Sequence, residues 1–193
     1  LGTYSLSPST VGASEPTAII ALLPQSYFGT TVSDRPTILV YLPASTAKEA
    51  MFSLKDEAGN LKYQMTLPVS ETAGIVTIAL PPEAPALEIG KNYQWFLALK
   101  VDGRLSPNTP YVDGWVQRIQ PNAELAKALQ NPDLLKRATA LGAQGVWYDC
   151  VAIMATLRTA QPSSETLGKN WSDLLASVGL QDITKAPILV SVN

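Results

Sequence analysis

The chain contains no histidine and one cysteine, Cys150. Without an imidazole, histidine-assisted serine or cysteine catalysis is excluded. One cysteine cannot close an internal disulfide, and it is too few for an ordinary structural zinc site. Charge is sparse as well. Asp, Glu, Lys and Arg make up 16% of residues, where about a quarter is typical. The 14 basic and 16 acidic side chains leave a net charge of −2. Lys136-Arg137 is the only adjacent basic pair, so the dense cationic field used for nucleic-acid binding is missing. No apolar run reaches the roughly 18 residues of a membrane-spanning helix. Gly142-Ala-Gln-Gly145 lacks the Lys and Ser/Thr of a phosphate loop. Asp56-Glu-Ala-Gly-Asn60 lacks the spaced oxygen ligands of a calcium loop and reads as a hairpin turn. No cofactor is expected.

The 193 residues include 15 Pro and 12 Gly, a composition that points to short elements joined by turns. A chain of this length buries roughly 70% of its unfolded surface, so it folds without a staple. From Thr17 to Gln120 the pattern is strand-like. Segments 17–23, 37–42, 49–55, 61–67, 75–80, 92–101 and 112–119 each alternate or run apolar between turn signals. In 92–101, Tyr93, Trp95, Leu97 and Leu99 share one face. In 112–119, Trp115 shares its face with Asp113.

The period changes after Pro121. Asn122 caps a helix running to about Gln130. Asn131-Pro132 starts a second, with Pro at the first helical position, ending near Leu141-Gly142. Val146–Thr159 is a third. Ser164 or a neighbour opens a fourth, with Leu167, Trp171, Leu174, Leu175 and Val178 as its apolar stripe and Gly179 after its end. The expected fold is an antiparallel, immunoglobulin-like β-sandwich followed by about four helices and a terminal strand. The expected layout is a Ser/Thr/Pro-rich arm over 1–16, a sandwich over 17–120, helices over 121–182 and a strand within 183–193.

Several segments, in order, resemble the cyanobacterial family of unknown function called DUF928. They are Thr31-Val-Ser-Asp-Arg-Pro-Thr37, Gly74-Ile-Val-Thr77 with Leu80-Pro81, Gly90-Lys-Asn-Tyr-Gln-Trp95, Val112-Asp-Gly-Trp-Val-Gln-Arg118, Gly145-Val-Trp-Tyr-Asp149 and Trp171-Ser-Asp-Leu-Leu-Ala-Ser-Val-Gly-Leu180. The resemblance implies an exported protein and brings no catalytic residues. Read physically, Asp34-Arg35-Pro36 starts a strand, Gly114 permits close backbone approach, and Trp147-Tyr148-Asp149 pins the third helix to a sheet. The chain begins at Leu1, and the expectation is that a signal peptide has been removed from an extracytoplasmic protein.

Two functions from different classes follow, neither an enzyme. In the first, the chain is a structural protein that assembles with itself into an oligomer or filament by strand addition or terminal-arm exchange. Residues 1–47 carry only Glu15, Asp34 and Arg35 as charges, which suits a covered surface. The terminal Pro187–Asn193 stands apart from the other strands. The expected assembly contacts are Tyr4 and Leu6 in the arm, and Ile188, Val190 and Val192 on one face of the last strand. In the second, the chain is a monomeric module binding an extracellular glycan or a signalling partner through exposed aromatics. Trp95 and Trp171 fall on core stripes, and Trp115 is the least certain of the four tryptophans. A two-carboxylate hydrolase would draw on Asp34, Glu49, Glu71, Asp113 or Asp149, which form no motif. Asp34 with Arg35, and Asp113 with Arg118, are expected as ion pairs.

Overall fold

A computed structural model describes residues 15–189. Two sheets and a layer of helices build the described chain. The first sheet contains β1 (Ile20–Ala21), β3 (Thr37–Leu42), β6 (Gly74–Ala79) and β9 (Ile188–Leu189), in that spatial order. The second contains β2 (Phe28–Thr31), β8 (Tyr111–Arg118), β7 (Asn92–Lys100), β4 (Glu49–Asp56) and β5 (Leu61–Pro68). The helices are α1 (Ala123–Ala128), α2 (Leu134–Ala143), α3 (Trp147–Ala160) and α4 (Glu165–Ala176), and a 3-10 turn follows at Gln181–Ile183.

The segment Thr37-Ile-Leu-Val-Tyr-Leu42 explains the layering. Strands alternate their side chains between two faces, and here both faces are apolar. Ile38, Val40 and Leu42 enter a core shared with Phe52, Leu54, Trp95 and Leu97 of the second sheet. Leu39 and Tyr41 enter another core, with Val151 and Met154 of α3 and Leu167, Trp171 and Leu175 of α4. The four-stranded sheet is therefore the middle layer, sheet on one side and helices on the other. A third cluster, Leu125, Leu141, Val146 and Cys150, ties α1, α2 and the start of α3 together. Side chains as deep as Trp95, Trp171 and Phe52 each contribute about 1.5–3 kcal/mol of burial.

Two of the helix-start signals act as the sequence predicts. The Asn122 side chain accepts from the Leu125 N–H, and the Ser164 hydroxyl accepts from the Leu167 N–H. The second start lies later than expected. Asp133 is the cap, accepting from the Leu135 and Lys136 N–H groups, so Pro132 precedes the helix and is not its first residue.

Other expectations are corrected. The sheets are not wholly antiparallel, because β2 runs parallel to β8 and β9 runs parallel to β6. Parallel neighbours need a long connection, and β9 reaches β6 only after the helical layer. Segment 17–23 holds just two ladder residues, because the chain turns at Leu22–Pro24 to leave one sheet for the other. There, the Tyr27 N–H bonds the Pro24 carbonyl, and Trp115 N–H bonds that of Tyr27. Among the described residues, eight strands, not seven, precede the helices. Residues 181–187 contain the 3-10 turn and coil, so the terminal strand begins at Ile188.

Candidate binding face

The helices cover one face of the four-stranded sheet. No described element covers the outer face of the five-stranded sheet. Its ladder registers place the outward side chains in levels. Phe28, Trp115, Gln94 and Lys55 lie side by side across β2, β8, β7 and β4. One level along come Asp113, Phe96 and Ser53, then Tyr111, Ala98 and Met51. With strands about 4.8 Å apart and same-face residues about 6.8 Å apart, the patch measures roughly 14 Å each way.

Alternation explains why these residues face out. Trp95 and Leu97 are fully buried, so Gln94, Phe96 and Ala98 must point the other way. Gly114 sits opposite Trp95 in the ladder, with no room for a side chain. A Cβ there would lie 2.4 Å from Leu23 Cδ1 and 2.7 Å from the Trp95 ring. Phe28 is 38% exposed and Tyr111 63%, while Trp115 and Phe96 are half-buried along the sheet.

The centre of the patch is a square with two aromatics on one diagonal, Trp115 and Phe96. On the other diagonal, Gln94 Nε2 donates to Asp113 Oδ2 at 2.8 Å. Lys55 Nζ lies 4.9 Å from the Phe96 ring centroid, within cation–π range. Towards one rim, Lys100 Nζ donates to Glu49 Oε2 at 3.3 Å and to Thr66 Oγ1 at 3.2 Å. The surface offers aromatic faces beside amide and carboxyl groups, which is the chemistry of ring stacking combined with polar recognition.

Beneath this face, α3 is pinned into the sandwich. Tyr148 is its second residue. Its hydroxyl accepts from Trp95 Nε1 at 2.8 Å and donates to the Trp115 carbonyl at 2.9 Å. Burial pushes the phenol well above its ordinary pKa. Trp147 Nε1 donates to the Leu22 carbonyl at 2.7 Å. Gly29 makes room, since a Cβ there would lie 2.9 Å from the Tyr148 ring. Asp149 Oδ2 accepts from the Val32 N–H at 3.2 Å. Burial raises the Asp149 pKa, and hydrogen bonds to Thr31 and Val32 oppose that rise. Cys150 is buried, and its thiol is pushed up to about 11, so it stays protonated at neutral pH.

The candidate carboxylates have different partners. Asp34 pairs with Arg35 at 3.1 Å, Glu49 with Lys100, and Asp113 with Gln94. Asp113 and Arg118 form no ion pair, because five positions along a strand place them on opposite faces. Arg118 instead donates to the Leu87 carbonyl at 2.8 Å. Among the described residues, no three His, Cys, Asp or Glu side chains gather as a metal site. No described helix is long and apolar enough to cross a membrane.

The DUF928 family (Domain of Unknown Function) matches residues 7–188. The chain belongs to the DUF928 family. None of the curated proteins matches its sequence. Within this DUF928 protein, the expected assembly contacts divide. Tyr4, Leu6, Val190 and Val192 lie outside the described residues. Ile188 pairs with Ile75 of β6 and packs beside the helical core of its own chain.

The aromatic patch draws on Phe28 and Phe96, which the sequence reading did not single out. Phe96 was legible in principle, being one residue out of phase with the Trp95 core face. Phe28 was not, because its strand is four residues long and gains its place only by pairing with β8.

Proposed function

We propose that this DUF928 protein is a non-enzymatic, extracytoplasmic binding module that takes a glycan on the open face of its five-stranded sheet. The observation that carries the reading is the outward square of Trp115, Phe96, Gln94 and Asp113, flanked by Phe28 and Tyr111. The apolar face of a sugar ring stacks on an aromatic side chain, while its hydroxyls bond amide and carboxyl groups. What supports the extracytoplasmic setting is the family resemblance.

The scaffold reads as immunoglobulin-like. In that fold one sheet carries the second and fifth strands as neighbours, and the other carries the third, sixth and seventh. Treating β1 and β2 as one first strand split between sheets, β3 and β6 take the first arrangement, and β4, β7 and β8 the second. Here β9 lies beside β6. The test is a glycan array probed with labelled protein. Selective retention by one glycan class, lost in Tyr111→Ala and Phe28→Ala variants that melt normally, supports the reading. Uniform background across the array refutes it.

A second reading is self-assembly by strand addition, favoured by the eight-residue β5, which pairs only with β4 among the described strands. It ranks lower because β5 carries Lys62 and Pro68, residues that blunt a sheet edge against pairing. Mass measurement in concentrated solution, with electron microscopy, separates the two. A monomer without filaments rules out assembly.

A further inference from the structure

On the helical side, away from the aromatic face, a cleft of about 610 Å3 opens between the end of α3, α4 and the segment leading into β9. We infer that this cleft is a binding site for a small oxyanion, a carboxylate or sulfate group. Its lining includes Arg158, Lys185, the Ser172 hydroxyl and Trp171, and no Asp or Glu; the Thr159 and Thr184 hydroxyls also line it but donate to the Ala155 and Gln181 carbonyls. Its size falls within the range usual for small-ligand pockets, about 300–1,000 Å3.

Arg158 is held in place before any ligand arrives. Its Nη1 donates to the Pro162 carbonyl at 3.2 Å and the Ser164 carbonyl at 3.3 Å. The guanidinium lies beside Gly168 of α4, where an added Cβ would be 3.5 Å from Nη1 and 3.7 Å from Cζ. Two backbone acceptors and a glycine surface thus fix the orientation of the fork. Its Nε and Nη2 groups bond no described protein atom, and neither is among the buried polar atoms lacking a partner, so both reach solvent. A fixed guanidinium with free N–H donors suits a planar or tetrahedral oxyanion. Lys185 supplies a second charge. Glu15 and Asp182 line the adjoining cavity with Lys185, but no described carboxylate pairs with Lys185 or Arg158 within 4.0 Å.

The experiment is a 15N–1H NMR titration of the 193-residue chain with sodium sulfate, with sodium D-glucuronate and with neutral glucose, at constant ionic strength. The expected result is a saturating shift of the Gly168 and Ser172 amides and of the Arg158 Nε–H with both anions, and none with glucose. Tighter binding of glucuronate identifies a carboxylated sugar as the carrier, and tighter binding of sulfate a free inorganic ion or sulfate ester. Lys185→Gln, which touches no structural hydrogen bond, should weaken binding about tenfold. Arg158→Lys should weaken it further, and the Lys185 variant keeps the test valid if the arginine variant folds poorly. The proposal is overturned if neither anion gives a saturating shift, or if Lys185→Gln binds as well as the parent chain.

Discussion

Replacing Tyr148 by Phe removes one oxygen atom and tests how the helical layer is joined to the sandwich. That oxygen satisfies the indole N–H of Trp95, which has no exposed surface, and donates to the Trp115 carbonyl. Without it, a buried donor and an acceptor lose a partner. Orphaning such a group costs about 1–3 kcal/mol. The expected loss for the pair is about 3 kcal/mol, because the bond to the Trp115 carbonyl is only partly buried and water rescues that acceptor more easily. For a chain of this length, that loss corresponds to a fall in Tm of roughly 6–12 °C. Calorimetry on the two proteins measures it directly. A double-mutant cycle with Trp95→Phe assigns the share due to the Trp95–Tyr148 bond, with an expected coupling of about 1–2 kcal/mol. If Tyr148→Phe costs less than about 0.5 kcal/mol, the usual scatter of a neutral surface change, then the hydroxyl does not tie α3 to the sandwich and the reasoning fails.

Two further outcomes follow from the same joint. Gly114→Ala places a methyl 2.4 Å from Leu23 and 2.7 Å from Trp95, so denaturant unfolding should register a loss of about 1–3 kcal/mol; an unchanged midpoint would show that the sheets have room to part. Asp149 has a pKa raised above its usual 3.8 by burial, so the folded chain holds that proton more tightly than the unfolded one. Its contribution to stability is therefore full below about pH 3.8 and is lost as pH climbs through the raised value. Asp149→Asn keeps an acceptor for the Val32 N–H and should abolish that decline, so melting curves between pH 4 and 7 should flatten; an identical pH slope in both proteins contradicts the assignment.

Much of the fold was legible where burial and periodicity agree. The run Thr37–Leu42 was legible as a strand from its β-branched composition between Pro36 and Pro43, and the structure places it between the second sheet and the helices. The Asn122 and Ser164 caps marked helix starts because their side chains complete the first turn. What was not legible depends on pairing across long distances. The strand β2 has only four residues, and Phe28-Gly-Thr-Thr31 has no alternation until β8 supplies a partner. Nothing local indicates that β9 returns parallel to β6, about 110 residues earlier in the chain. Within the candidate site, the outward direction of Trp115 followed from its phase with Asp113, but the neighbours that make a surface of it came from ladder register alone. Asp133 displaced Pro132 as the helix start because its carboxylate reaches two N–H groups at once.

The most direct test of the account is the Trp115 indole N–H resonance, followed by NMR while soluble oligosaccharides are added. That group bonds no described protein atom and lies on the open face, whereas the Trp95 and Trp147 indoles are hydrogen-bonded within the protein. The account predicts that a binding oligosaccharide moves the Trp115 indole signal and leaves those of Trp95 and Trp171 in place. It also predicts that Trp115→Ala abolishes binding while the chain still folds, with Tm falling by only about 2–6 °C for the half-buried ring. If the retained oligosaccharide leaves the Trp115 signal unmoved, or if Trp115→Ala binds as the parent does, the open face is not the binding site.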